Sequence, residues 1–110
     1  MTLATRHCTR HPAVATAAAQ ADLLAQLPGW SVIDGMLRRA FTLRDFHETM
    51  AFVNALAWLS HTEDHHPELL VSYRQCTVSY ATHDAGGALT DNDFICAARA
   101  SALYQQREGA

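Results

Sequence analysis

The chain has 110 residues, 49% of them apolar and 17% charged, a composition that describes one globular domain rather than a disordered segment. A formal charge of -3 with histidine neutral, and no run of basic residues, excludes a grip on nucleic acid by phosphate neutralisation. No stretch approaches the roughly 20 apolar residues that span a bilayer, no secretory pattern opens the chain, and Cys8, Cys76 and Cys96 are too few and too scattered for a disulfide framework; together these features predict a cytoplasmic protein with free thiols.

Residues 1–12 are polar and end in His11-Pro12, which reads as a flexible N-terminal arm ahead of a single domain over 13–110. Helix formers with Leu23, Leu24 and Leu27 at helical spacing predict a helix over 14–27, stopped by Pro28-Gly29. Trp30 to Ile33 reads as a strand. Asp34-Gly35 signals a tight hairpin, because both central positions need positive φ. On the return strand Leu37, Arg39, Phe41 and Leu43 share one face, which puts Arg39 on the apolar phase, at a sheet edge or opposite a buried acid.

Asp45 with Glu48 is spaced as a capping pair for a helix to about Ser60, with Phe46, Met50, Val53 and Ala57 as its apolar stripe. Pro67 limits its continuation. Leu69 to Tyr73 and Gln75 to His83 read as strands, the second with Cys76, Val78, Tyr80 and Thr82 on one face. Thr90 and Asp93 are spaced as a capping box for a last helix over about 91–105. The order is helix, two strands, helix, two strands, helix. It predicts an α+β domain: a four-stranded antiparallel sheet with three helices packed on one face.

Seven histidines stand out, four of them at His61, His65, His66 and His83. Imidazole gives or takes a proton near neutrality, and a dehydration needs one group to protonate a leaving hydroxyl and another to remove a proton. Plainer readings stand beside this one. His61 suits a helix C-terminus, His65-His66 suits a loop before proline, and His83 suits a turn. His7, His11 and His47 read as surface residues. The residues also leave a metal site open, built on His61 and His65 four apart with Asp64 or His83.

The segment His61-Thr-Glu-Asp-His65-His66-Pro67-Glu68, followed by Tyr73, by Thr82-His83-Asp84-Ala-Gly-Gly-Ala-Leu-Thr90 and by Asp93, resembles the pterin-4a-carbinolamine dehydratases, and the resemblance runs over about residues 22 to 104. It implies the fold above and loss of water from 4a-hydroxytetrahydrobiopterin to give quinonoid dihydropterin. That reaction recycles the pterin cofactor of aromatic amino-acid hydroxylases, with no metal and no organic cofactor. His65, His66 and His83 match the family's active-site histidines, with His65 and His83 as the proton-transfer pair. His61, Asp64, Pro67, Leu69, Thr82 and Asp93 fall at the substrate-binding positions, Asp93 orienting His83 or capping the helix. The family implies a homodimer or homotetramer, a hydroxylase as pathway partner, and an alternative role as a dimerisation or protein-assembly partner. Three positions depart from its pattern: His61 where glutamate is frequent, Leu69 where an aromatic is frequent, and one extra residue in the loop at Gly86-Gly87.

Overall fold

A computed structural model describes residues 2–107; Met1 and residues 108–110, which belong to the expected arm and domain, lie outside the described residues. The elements are α1 (Ala17–Leu24), β1 (Ser31–Ile33), β2 (Met36–Thr42), α2 (Phe46–Glu63), β3 (Glu68–Val71), β4 (Gln75–Tyr80) and α3 (Asp91–Gln106), with short 3-10 turns at Leu3–Thr5 and His83–Ala85. The strands lie in the order β1-β2-β4-β3 and every neighbouring pair is antiparallel. The α+β order read from the sequence is therefore the observed one. No helix among the described residues is long and apolar enough to cross a membrane.

The turn chemistry follows the sequence. Asp34 and Gly35 both take positive φ (52° and 78°), as a two-residue hairpin matched to strand twist requires. Thr90 and Asp93 form the full capping box that opens α3. Asp45 caps α2, accepting from the Glu48 amide at 2.8 Å, while the Glu48 carboxylate accepts from the Arg44 amide.

The core fills the sheet face bearing Leu37, Phe41, Cys76, Val78 and Tyr80. Helices α2 and α3 cover it with Phe52, Leu56, Phe94, Ile95 and Ala97, and α1 reaches it only through half-buried Leu23 and Leu24. Phe41 packs at 4.8 Å from Phe52 and 4.9 Å from Tyr104, ring centre to ring centre.

Several local readings change. Strand β3 ends at Val71 rather than Tyr73, and β4 ends at Tyr80 rather than His83, which starts a 3-10 turn. The buried face of α2 carries Thr49, Phe52, Leu56, Leu59, Ser60 and Glu63, whereas Phe46 and Met50 are exposed. Both stripes have helical spacing. The polar members of the buried one are accepted because each finds a partner, Thr49 donating to Asp45 and Tyr73 carbonyls and Ser60 to the Leu56 carbonyl. Arg39 lies on a central strand and meets no acid among the described residues. Its guanidinium sits 4.3 Å over the Phe41 ring and donates to Ser101 Oγ at 3.1 Å. Helix α1 starts later than expected because Ala15 is held in extended pairing, its amide donating to the Leu89 carbonyl at 2.8 Å, and Thr16 then caps the helix.

Candidate active site

Helix α2 runs three residues past its expected end, and the way it stops aims His65 inward. Asp64 takes the left-handed conformation (φ 51°), and the amides of Asp64 and His65 turn back onto the last carbonyls of the helix, His65 reaching Ser60 at 3.2 Å. His65 is thereby buried, with its ring stacked on Tyr80 at 5.7 Å and 10° between planes.

Its Nε2 lies 2.7 Å from Oδ1 of Asp93, a side chain with no exposed surface. Asp93 also belongs to the capping box. Its Oδ2 accepts from the Thr90 amide at 2.9 Å and from the Thr82 hydroxyl at 2.7 Å. The Thr82 proton is committed there, so the Thr90 hydroxyl donates to Thr82 Oγ1 at 2.8 Å. The Thr90 amide and the Thr82 hydroxyl both donate to Asp93, and as a carboxylate it offers Oδ1 as a further acceptor toward His65. The Nε2 of His65 therefore carries its proton, and Nδ1 is left without a protein partner among the described residues. Asp93 thus caps α3 and holds His65; no bond joins it to His83.

In front of this pair opens a cleft of about 700 Å³, lined by Asp64, His65, His66, Thr82 and His83 from the expected set. His66 and His83 are exposed on its rim, His66 following the helix end and His83 starting the 3-10 turn after β4. The other expected residues do not line it. His61 lies on the outer face of α2, its ring 6.1 Å from that of Trp58. Leu69 pairs with Val78 on edge strand β3, and Pro67 is half-buried at the junction. His61 and His65 therefore diverge. Among the described residues no group of three or more His, Cys, Asp or Glu side chains gathers as metal ligands.

The rest of the lining was not foreseen. Cys8, Thr9, Arg10, His11 and Pro12, read as part of a loose arm, form one wall together with Glu63 and Asn92. The Glu63 carboxylate, 3% exposed, accepts from the Cys8 amide at 2.7 Å and from His7 Nδ1 at 2.8 Å. Burial alone would push the Glu63 carboxyl up, but the bonds from Cys8 and His7, with the nearby Arg99 charge, outweigh it and hold the group below its ordinary value. Asn92 exchanges two hydrogen bonds with the Thr9 backbone, at 3.0 and 2.9 Å, and Arg99 donates to the Arg6 carbonyl at 2.7 Å. One signal pointed here: Glu63 stands four residues past Leu59, and a carboxylate in phase with a buried face needs donors from elsewhere in the chain.

The chain matches the family model for pterin 4 alpha carbinolamine dehydratase over residues 13–103. A relative from Stenotrophomonas maltophilia is 56% identical over 88 residues, covering 78% of this chain and 75% of its own. One from Nitrosospira multiformis is 50% identical over 84 residues (76% and 74%), and one from Chromobacterium violaceum is 52% identical over 85 residues (77% and 78%). All three are provisionally named pterin-4-alpha-carbinolamine dehydratases. Among solved structures, the transcriptional coactivator/pterin dehydratase from Brucella melitensis superimposes with a TM-score of 0.79 at 28% identity, over 84% of this chain and 99% of that one.

Proposed function

The chain belongs to the pterin-4a-carbinolamine dehydratase family, and on that footing we propose that it is a hydro-lyase that removes water from 4a-hydroxytetrahydrobiopterin to give quinonoid dihydropterin. In this reaction the bond from C4a to the hydroxyl oxygen breaks, N5 gives up its proton, and a double bond forms between N5 and C4a. One group protonates the departing hydroxyl and another accepts the N5 proton.

The observation that carries the reading is the clamp on His65. A buried carboxylate 2.7 Å from Nε2 selects one tautomer and leaves Nδ1 as the edge that exchanges protons with the cleft. The same carboxylate stabilises the imidazolium whenever His65 holds the extra proton, the role an aspartate plays behind a catalytic histidine in acyl transfer. His83, on the rim from a different segment, is the second proton-transfer group. His66 beside it holds the pterin. The quinonoid product feeds recycling of the cofactor of aromatic amino-acid hydroxylases. A homodimer or homotetramer would use edge strand β3, all of whose residues are exposed, or the outer face of α2 with exposed Phe46 and Trp58.

The test is acceleration of carbinolamine dehydration by chelator-treated protein, with His65→Ala and His83→Ala beside it. Activity that survives chelation and falls about 100-fold or more in each variant supports the reading. A wild-type rate equal to the spontaneous one sinks it.

A further inference from the structure

The cleft has two kinds of wall. Those built by the end of α2, the end of β4 and the start of α3 lie within residues 13–103, the stretch matched by the family model, whereas the wall of Cys8 to Pro12 lies outside it. We propose that this N-terminal wall selects among pterins, with Arg10 and His11 hydrogen-bonding a neutral, hydroxylated substituent at C6. The proposal rests on the dehydratase reading above.

The wall is built into the domain. Glu63 holds Cys8 and His7, Asn92 holds Thr9 by both backbone groups, and Arg99 holds the Arg6 carbonyl. Cys8 Sγ also rests 3.5 Å from Cys96 Sγ on α3. Two of these anchors adjoin the reactive centre in the chain: Glu63 is two residues before His65, and Asn92 precedes Asp93. The segment is therefore registered to the same elements that position the histidine. Beyond the anchors the chain turns at His11 (φ 50°), and Arg10 and His11 line the cleft.

Chemistry decides what they meet. C6 is bonded to N5, so a pterin seated with C4a and N5 against the histidines carries its C6 substituent beside the reacting atoms. The histidines, Thr82 and the start of the His83 turn line the same cleft as Cys8 to Pro12, so a substituent beside the reacting atoms shares that space with Arg10 and His11. Arg10 supplies several N–H donors and His11 one more. The charged groups facing the same space are Arg10, Asp64 and Asp84, together with Glu63, which is already bonded to His7 and Cys8. Arg10 offsets one of these carboxylates, and the net negative charge that remains disfavours an anionic substituent, while the carboxylates accept hydrogen bonds from hydroxyls.

The experiment compares two carbinolamines generated in situ, one from tetrahydrobiopterin with its dihydroxypropyl group and one from 6-methyltetrahydropterin. KM and kcat are measured for the wild type, Arg10→Ala, His11→Ala and the double variant. The wild type prefers the hydroxylated substrate through KM, and the double variant loses about tenfold of that preference, the scale of one charge-assisted hydrogen bond. Calorimetric titration with the 7,8-dihydro forms of the same two pterins reads the preference without turnover. An equal effect on both substrates, no effect, or no difference in binding between the two pterins overturns the proposal. Failure of the wild type to accelerate either dehydration, with the binding preference intact, instead removes the dehydratase reading.

Discussion

Asp93→Asn tests the clamp on His65 most directly, because it keeps the side-chain volume and removes one acceptor and the charge. In the native site Oδ2 serves the Thr90 amide and the Thr82 hydroxyl while Oδ1 serves His65 at 2.7 Å. A backbone amide cannot become an acceptor, so the asparagine oxygen stays with Thr90 and its NH2 turns toward His65. Nε2 must then present a lone pair, and the imidazole proton moves to Nδ1. The Nδ1 edge changes from acceptor to donor, and neutral His65 no longer serves as a base there. The expected loss in kcat is about 100- to 10,000-fold, the range of a positioned acid-base group. No hydrogen bond is lost, but bonds to a charged acceptor become bonds to a neutral amide, which removes about 1 kcal/mol of stability, a fall in Tm of about 4–8 °C for a domain of this size. The assay pairs kcat across pH with thermal denaturation and with nitrogen NMR of the His65 tautomer. A folded Asp93→Asn variant in which His65 keeps its proton on Nε2, or which retains kcat within about threefold of wild type, would refute the reasoning.

Other consequences are separable from that one. His83→Ala should lower kcat about 100-fold or more while moving stability by no more than about 0.5 kcal/mol, since His83 is exposed; a variant as active as wild type would remove His83 from proton transfer. His65→Ala should cost stability as well, about 1–3 kcal/mol, because it leaves the buried Asp93 carboxylate without one of its donors; an unchanged denaturation midpoint would contradict this. The Glu63 carboxyl titrates below its ordinary value in the folded protein, so its contribution is complete above that ordinary value and is lost as pH falls through the depressed one. Urea midpoints of wild type and Glu63→Gln should therefore differ most near neutrality and converge in acid, and a constant gap would be the contrary result. Gly29→Ala should destabilise by about 1–2 kcal/mol from its positive φ alone, and more than Gly35→Ala. A Cβ at Gly29 (φ 89°) would lie 2.9 Å from Arg39 Nε, whereas one at Gly35 meets nothing within 4 Å; equal losses in chemical denaturation would discount the Arg39 contact.

Much of this was legible because it depends on neighbours in the chain. Asp34-Gly35 specifies a turn through the φ values its two residues tolerate, and Thr90 with Asp93 specifies a helix start through bonds three residues apart. The alternation of Cys76, Val78 and Tyr80 marks a strand face, and those three side chains are buried, while the strand stops at Tyr80, short of the expected His83. The resemblance on His65, His66, His83 and Asp93 pointed to the same region, where three of the four line the cleft and Asp93 stands behind His65.

Which side of α2 faces inward was not legible. Stripes at 46-50-53-57 and at 49-52-56-59-63 share one period, and only packing against α3 and the sheet chooses between them. That choice turned His61 outward, buried Glu63, and gave Glu63 the amide of Cys8 to bind. The sequence by itself determined the order of elements, the hairpin and the caps, since each follows from residues a few positions apart, and the resemblance singled out the histidine segment. Tertiary structure alone decided that Asp93 serves His65 rather than His83, and that the N-terminal segment forms a wall of the cleft. Those bonds span 28 residues between His65 and Asp93 and 55 between Cys8 and Glu63, distances over which local propensity carries no information.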